Sequence, residues 1–251
     1  MNLANVIRAE WIKLASVRST WWTLAACYVI TVGIAAAALF GIQSSNEVPG
    51  RDFFPVDVAL VGLMFGQLAM AVTGVLVISS EYSSGGMRTT LTAVPARLRL
   101  LAAKAIVLGA YSLAVGALIV VSCFVLMQIT FGGQVGADLS DDGVLRALAG
   151  GALYLSASAL LAFGVGAIVR NTGGGITATV ALLFVLPLMA FAPPGWMRDT
   201  GADYFTTNAG QQIIALDQGD GLGPWLGFVV YLVWVAVGLT IAAVALRRRD
   251  A

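Results

Sequence analysis

The chain has 251 residues, of which 59% are apolar and 11% charged, with a formal net charge of +1. A soluble domain carries about a quarter charged residues, so this balance leaves little room for one. There is no His, and the two cysteines, Cys27 and Cys123, both sit in apolar runs. A His- or Cys-dependent metal site is therefore all but excluded, and each Cys reads as a small buried hydrophobe.

The first 20 residues predict an amphipathic helix. Leu3, Val6, Ile7, Trp11, Leu14 and Val17 share one face at helical spacing, with Arg8, Lys13 and Ser16 off it. Trp11 at the edge and basic flanks suit a helix lying on a membrane surface. Glu10 breaks the pattern, because it points into the apolar stripe. Two kinds of partner are open to it: Lys13 at i+3, or a basic loop further along, at Arg88 or Arg97. Trp21 and Trp22 follow at the expected water boundary, where indoles are enriched.

Six long apolar runs come next, at 22–42, 58–79, 105–130, 148–169, 173–192 and 225–246. A bilayer core about 30 Å thick takes roughly 20 residues of helix to cross. Each run is about that long, and none contains Lys, Arg, Asp or Glu. The expected fold is an all-α integral membrane protein of six transmembrane helices, forming one domain over 1–251. The first run is longer than the apolar stretch of a signal peptide and follows about 20 residues of chain, so it reads as a span.

The connections set the orientation. With the N-terminus in the cytoplasm, Arg8, Lys13, Arg18, Arg88, Arg97, Arg99, Lys104, Arg170 and Arg247 to Arg249 fall inside, and only Arg51, Arg146 and Arg198 fall outside. The positive-inside rule then places both termini in the cytoplasm of a multi-pass plasma-membrane protein.

The second span offers Met64, Gln67 and Met70, and the fifth Thr177 and Phe184. Thioethers, aromatics and weakly polar groups suit a path for an apolar, variable substrate. They serve equally well facing lipid or packing. Gly62 and Gly66 form a small-xxx-small pair that lets another helix come close.

The connection 80–103 is the longest on the inner side. Gly85 and Gly86 break the chain, Met87–Val94 has length for about two helical turns, and Pro95 stops it. Met87, Leu91 and Val94 would share one face, with Arg88 and Thr92 on another. Such a helix across the span ends is a handle for a partner; the alternative is a surface connector whose arginines only set topology. On the outer side, Asp138, Asp141 and Asp142 lack the fixed spacing of a calcium loop. Residues 208–216 read as a short interfacial or re-entrant helix.

Several chemistries are missing. Gly173-Gly174-Gly175 lacks the Gly-Lys-Ser/Thr of a P-loop, so the chain is not expected to be an enzyme or to bind a cofactor. The spans hold no ionisable residue but Tyr and Cys, which argues against ion coupling. Ser112, Ser122, Ser156 and Ser158 have no His or Lys at their depth to activate them.

The connection 81–104 resembles that of permease subunits of ATP-binding-cassette exporters, type-2 export family, in the small form common in actinobacteria. That family has a Glu, then Gly-Thr, a short Leu-rich helix, Pro, Arg, and a Lys at the next span. Here the pattern is Glu81, Gly85-Gly86, Met87 to Val94, Pro95, Arg97 and Lys104, with Gly86-Met87 where the family often has Thr. The opening segment from Arg8 to Thr23 and the six-span plan are similar too. The resemblance implies two permease subunits, alike or different, resting on a separate P-loop ATPase that binds ATP and Mg. It implies that Glu81, Gly85, Gly86, Arg88, Leu91, Pro95 and Arg97 form the coupling loop, with Glu10, Trp11 and Lys13 on an interfacial helix beside it. It further implies a substrate path along the second and fifth spans, lipid around the bundle and no nucleic-acid partner. A stand-alone secondary or facilitative carrier and a non-transporting scaffold subunit are the alternatives. The carrier would work without ATP, and the scaffold would tolerate changes along those two spans.

Overall fold

The computed structural model describes residues 2–44, 54–87, 92, 96–131, 137–191, 201–216 and 221–248. The described residues are helical, without strands, and six helices are long and apolar enough to cross a membrane. In chain order the elements are α1 (Leu3–Ser16), α2 (Arg18–Ser44), α3 (Pro55–Leu60), α4 (Leu63–Ser83), α5 (Arg97–Phe131), α6 (Val144–Val169) and α7 (Thr172–Val180). A π-helical stretch, Ala181–Val185, leads into α8 (Leu186–Met189). A 3-10 turn (Gly201–Tyr204), α9 (Thr206–Gln211) and α10 (Pro224–Arg248) complete the chain.

The six spans are α2, α3 with α4, α5, α6, α7 to α8, and α10. Each of the six expected runs falls on one of these helices, with ends that shift. α5 begins eight residues before the expected 105, at Arg97. Its 35 residues make it about 50 Å long, well beyond the hydrocarbon core. The second span starts with Pro55 in its first turn, where a missing N–H costs nothing, and is interrupted at Val61–Gly62.

α6 is the core of the bundle, packing against α4, α5 and α10. Its buried face is built from small residues, among them Gly150, Gly151, Ala157, Ser158, Ala159 and Ala162. Between helices in lipid there is little hydrophobic drive, so association rests on close packing of small side chains. A Cβ on Gly74 of α4 would collide with the Ala159 carbonyl, and one on Gly164 would lie 3.0 Å from the Gly238 carbonyl carbon. Gly62 and Gly66 do admit a neighbour: it is α2, whose Thr31 backbone and hydroxyl fill the space a Cβ would take.

The fifth span carries its own defect and repair. Pro187 has no N–H to give the carbonyls one turn back. The carbonyl four residues back is that of Leu183, to which the Thr207 hydroxyl donates, and the Thr206 hydroxyl donates to the neighbouring Leu182 carbonyl. The segment 201–216 thus folds into the bundle, packing α9 against α10, with Thr206, Thr207, Ala209 and Gly210 buried. A short inserted helix was among the expectations for this region.

Both described ends of the chain lie at one end of the bundle, called here the terminal end. There α1 packs on α5, and Arg97 at the base of α5 donates to the Leu246 carbonyl near the end of α10. At the opposite end, Arg146 donates to the carbonyls of Ile213 and Ala215, and Asp57 accepts from the Leu216 N–H.

Replacing Thr206 or Thr207 by Val keeps shape but leaves a buried carbonyl bare. We expect each change to lower stability by about 1–3 kcal/mol in detergent unfolding. Pro187→Ala restores an N–H donor, so in that background the Thr207→Val cost should fall by at least half. An undiminished cost would mean that the hydroxyl does not serve the carbonyl that proline frees.

Candidate functional site: an ionic cluster at the terminal end

α1 turns Val6, Glu10 and Leu14 toward the bundle, one residue per turn on a single face. A carboxylate on that face must find a cation or stay costly. The partner is Lys104 of α5, whose Nζ lies 2.6 Å from Glu10 Oε2. Lys104 Nζ also lies 2.6 Å from Oε1 of Glu81, in the last turn of α4. Lys13, one turn beyond Glu10, donates to the same Glu81 oxygen. Two carboxylates and two ammonium groups therefore form one chain, Glu10–Lys104–Glu81–Lys13, that joins α1, α4 and α5.

Burial grades these bonds. The Lys104 side chain is 1% exposed and that of Glu81 5%, whereas Lys13 is 48% exposed. A buried ammonium costs several kcal/mol in lost hydration, which only close partners repay. The Lys13 arm, half in solvent, contributes about 1 kcal/mol or less. The Glu10 partner is thus Lys104, rather than Lys13 or Arg97. Arg88 lies outside the described residues. Trp11 is turned outward, 47% exposed.

Two arginines finish the same end. The last carbonyls of a helix have no intrahelical donor. In α10, Leu246 receives one from Arg97 Nη1 at 3.0 Å and Ala245 one from Arg170 Nη2 at 3.4 Å. Arg170 caps α6 with φ 58 and stacks over the Tyr82 ring, 5.0 Å from its centroid. Positive groups also suit a helix C-terminus electrostatically. The connection between α4 and α5 is therefore tied at both ends, by Glu81 three residues before it begins and by Arg97 where it finishes. Gly85 takes φ 70, Gly86 N–H donates to the Ser84 hydroxyl, and Met87 is buried. Most of the expected helix Met87–Val94, with Leu91 and Pro95, lies outside the described residues.

The five residues expected along a path do not share one surface. Met64 and Thr177 are exposed, Phe184 is half-buried, and Gln67 and Met70 point into the chain's own core. Gln67 sits in a polar knot: its Nε2 is 3.2 Å from Ser158 Oγ, 3.3 Å from Thr207 Oγ1 and 3.4 Å from Tyr231 OH. An amide nitrogen has two hydrogens, so it serves two of the three at a time. Ser158 and Tyr231 bond each other at 2.7 Å. Ser158, Thr207 and Tyr231 were not singled out together from sequence. A lone mid-span Gln is the available signal, since such a group needs partners in lipid. Among the described residues no cluster of His, Cys, Asp or Glu could hold a metal ion.

Removing Lys104 would strand two buried carboxylates. We expect Lys104→Met to cost about 3–5 kcal/mol in detergent unfolding. In double-mutant cycles, Glu10→Gln should couple to Lys104→Gln more strongly than to Lys13→Gln; stronger coupling to Lys13 would favour the local i, i+3 pair.

The comparisons agree with this architecture. A match to the family described as ABC-2 family transporter protein covers residues 6–187, from α1 through the π-helical stretch of the fifth span. It thus includes Glu10, Glu81 and Lys104. No curated protein matches the chain. With most of its length covered by that family, and with six helices able to cross a membrane, the chain belongs to the ABC-2 family of membrane transporter proteins.

Proposed function

We propose that this chain is the permease subunit of an ABC exporter, one of two such subunits seated on a separate P-loop ATPase. ATP and Mg are bound and hydrolysed by that partner, and the chain itself binds no cofactor. The observation that carries the proposal is the family match over residues 6–187. The excess of basic residues around the terminal end supports both termini in the cytoplasm of the plasma membrane. The ATPase then meets the connection between α4 and α5.

The ionic cluster gives that contact a physical consequence. Closure of the ATPase pair displaces the 84–96 connection, whose flanks are tied by Glu81–Lys104 and by Arg97 on Leu246. Movement is passed to α4 and α5 together, to α1 through Glu10 and to α10 through Arg97. Glu81, Gly85, Gly86, Arg88, Leu91, Pro95 and Arg97 form the coupling region. Glu10 and Lys13 brace it from a helix held at the membrane surface, with Trp11 toward the headgroups. The whole chain acts as one membrane domain. Substrate moves outward between the two subunits, along the exposed faces of the second and fifth spans. Val61, Met64, Phe65 and Leu68 supply the apolar side of that passage from α4 and the turn before it, and Thr177 supplies a hydroxyl from α7.

Purification from gently solubilised membranes should bring down an ATPase. We expect Arg88→Glu to reduce the recovered ATPase activity at least tenfold with the chain still inserted and folded. Arg97→Glu is the poorer probe, because it also uncaps α10. Recovery of the folded chain without any ATPase, in a detergent that preserves complexes, would leave the carrier or scaffold as the better reading.

The orientation has a separate test. Ser140 and Ser84 are exposed at opposite ends of the bundle, and both native cysteines are buried. A membrane-impermeant maleimide should label Ser140→Cys in intact cells and Ser84→Cys only after permeabilisation. The reverse pattern would invert the topology.

A further inference from the structure

A cavity of about 140 Å³ opens beside the ionic cluster, between α1, the start of α2, the end of α4 and α5. Its floor is charged, formed by the buried Glu10, Glu81 and Lys104, with the half-exposed Lys13 at its edge. Its walls change character with position. Ser19, Thr20, Thr23 and Ser80 bring hydroxyls, and Leu76, Val77 and Val107 bring apolar surface. Within this floor one atom is left over. Glu81 Oε2 is buried and has no hydrogen-bond partner, although Oε1 of the same carboxylate accepts from two lysines.

We propose that this cavity binds the headgroup of an aminophospholipid, a lipid with a primary ammonium and a phosphate, from the leaflet at the terminal end. A buried carboxylate oxygen without a donor costs more than an ordinary hydrogen bond contributes, so the site favours a ligand that brings N–H. A small rotation of the Glu81 carboxylate turns Oε2, enclosed in the present arrangement, to the ammonium, which donates to it. The four side chains already balance, two positive and two negative, so a bare amine would add an uncompensated charge. A headgroup that carries its own phosphate keeps the site neutral, and the phosphate meets Lys13, whose half-exposed ammonium stands at the mouth. The size fits: at about 10–15 Å³ per water-sized probe the cavity holds on the order of ten waters, comparable to an ethanolamine phosphate. The acyl chains continue along the apolar wall into the bilayer. Choline has the same charge but no N–H, so the site discriminates between the two common zwitterionic headgroups. The proposal does not depend on the ATPase partner or on transport direction.

The test reconstitutes the full chain in nanodiscs of equimolar palmitoyl-oleoyl phosphatidylethanolamine and phosphatidylcholine, followed by native mass spectrometry in mild detergent. One phosphatidylethanolamine per chain should remain, at least tenfold over phosphatidylcholine. Val77→Trp fills the cavity and leaves all four charges in place, and should reduce retention at least tenfold. Glu81→Gln should abolish the preference between the two lipids in chains that pass a folding check by circular dichroism. Soluble ethanolamine phosphate at millimolar concentration should leave the lipid in place. Equal retention of both lipids, retention unchanged by Val77→Trp, or no retained lipid would overturn the proposal. Displacement by soluble ethanolamine phosphate would overturn the lipid assignment in favour of a free aminophosphate.

Discussion

Hydrocarbon offers no hydrogen bonds, and the structure answers that constraint at several of the places where its chain departs from plain apolar helix, although Gln67 Oε1 and Tyr154 OH stay buried without a partner. Inside a bilayer each unpaired backbone or side-chain group costs several kcal/mol, so a defect is best tolerated with a repair beside it. Pro187 frees the Leu183 carbonyl in the fifth span, and the inserted segment 201–216 brings one hydroxyl to it and a second to the neighbouring Leu182 carbonyl. Gln67 sits in mid-span, and three hydroxyl groups from α6, α9 and α10 surround its amide nitrogen. The α10 helix ends with bare carbonyls, and two arginines from other helices reach them. Each repair joins elements distant in sequence, so polar satisfaction and tertiary assembly are the same event.

The two ends of the bundle solve the problem differently. At the opposite end single charged groups act on backbone: Arg146 takes the carbonyls that follow α9, and Asp57 takes the Leu216 N–H. These contacts pin the inserted segment to the fourth and second spans. At the terminal end charges act on charges. Lys104 lies almost wholly inside protein with a carboxylate on each side. A pair of that kind adds little net stability compared with apolar packing, but it is costly to separate. It therefore suits a joint that must hold three helices together without extensive packing between α1 and the end of α4.

The spans were legible because their signal is a sum: about 20 consecutive apolar residues cannot be disguised by local detail. Their ends were less so. Arg97 and Arg99 look like loop residues by composition, yet α5 runs through them, because a helix that leaves the membrane can keep its hydrogen bonds in water. Glu10 announced a buried partner by falling on an apolar face. Its identity could not be read, since Lys104 is brought there by the packing of α1 on α5 and stood in the sequence only as a basic residue flanking a span. The Gly62 and Gly66 pair announced a close neighbour in the same way, and Thr31 of α2 was invisible for the same reason. Patterns within one helix show that a contact is needed, and topology chooses the other half.

That division also explains why the residues expected along a path scatter while the charged residues at the terminal end gather. Met64, Gln67 and Met70 share a span, but a helix has more than one face. Gln67 and Met70 fall toward α6 and the bundle core, and Met64 falls away from it. Glu10, Glu81 and Lys104 come from three different elements and still converge, because opposite charges at a hydrocarbon boundary have few other places to go. A polar residue in a membrane helix is informative about position in proportion to what its burial would cost. The charged groups, with the largest cost, were the better guides to the site, and the thioethers, with almost none, could lie on any face.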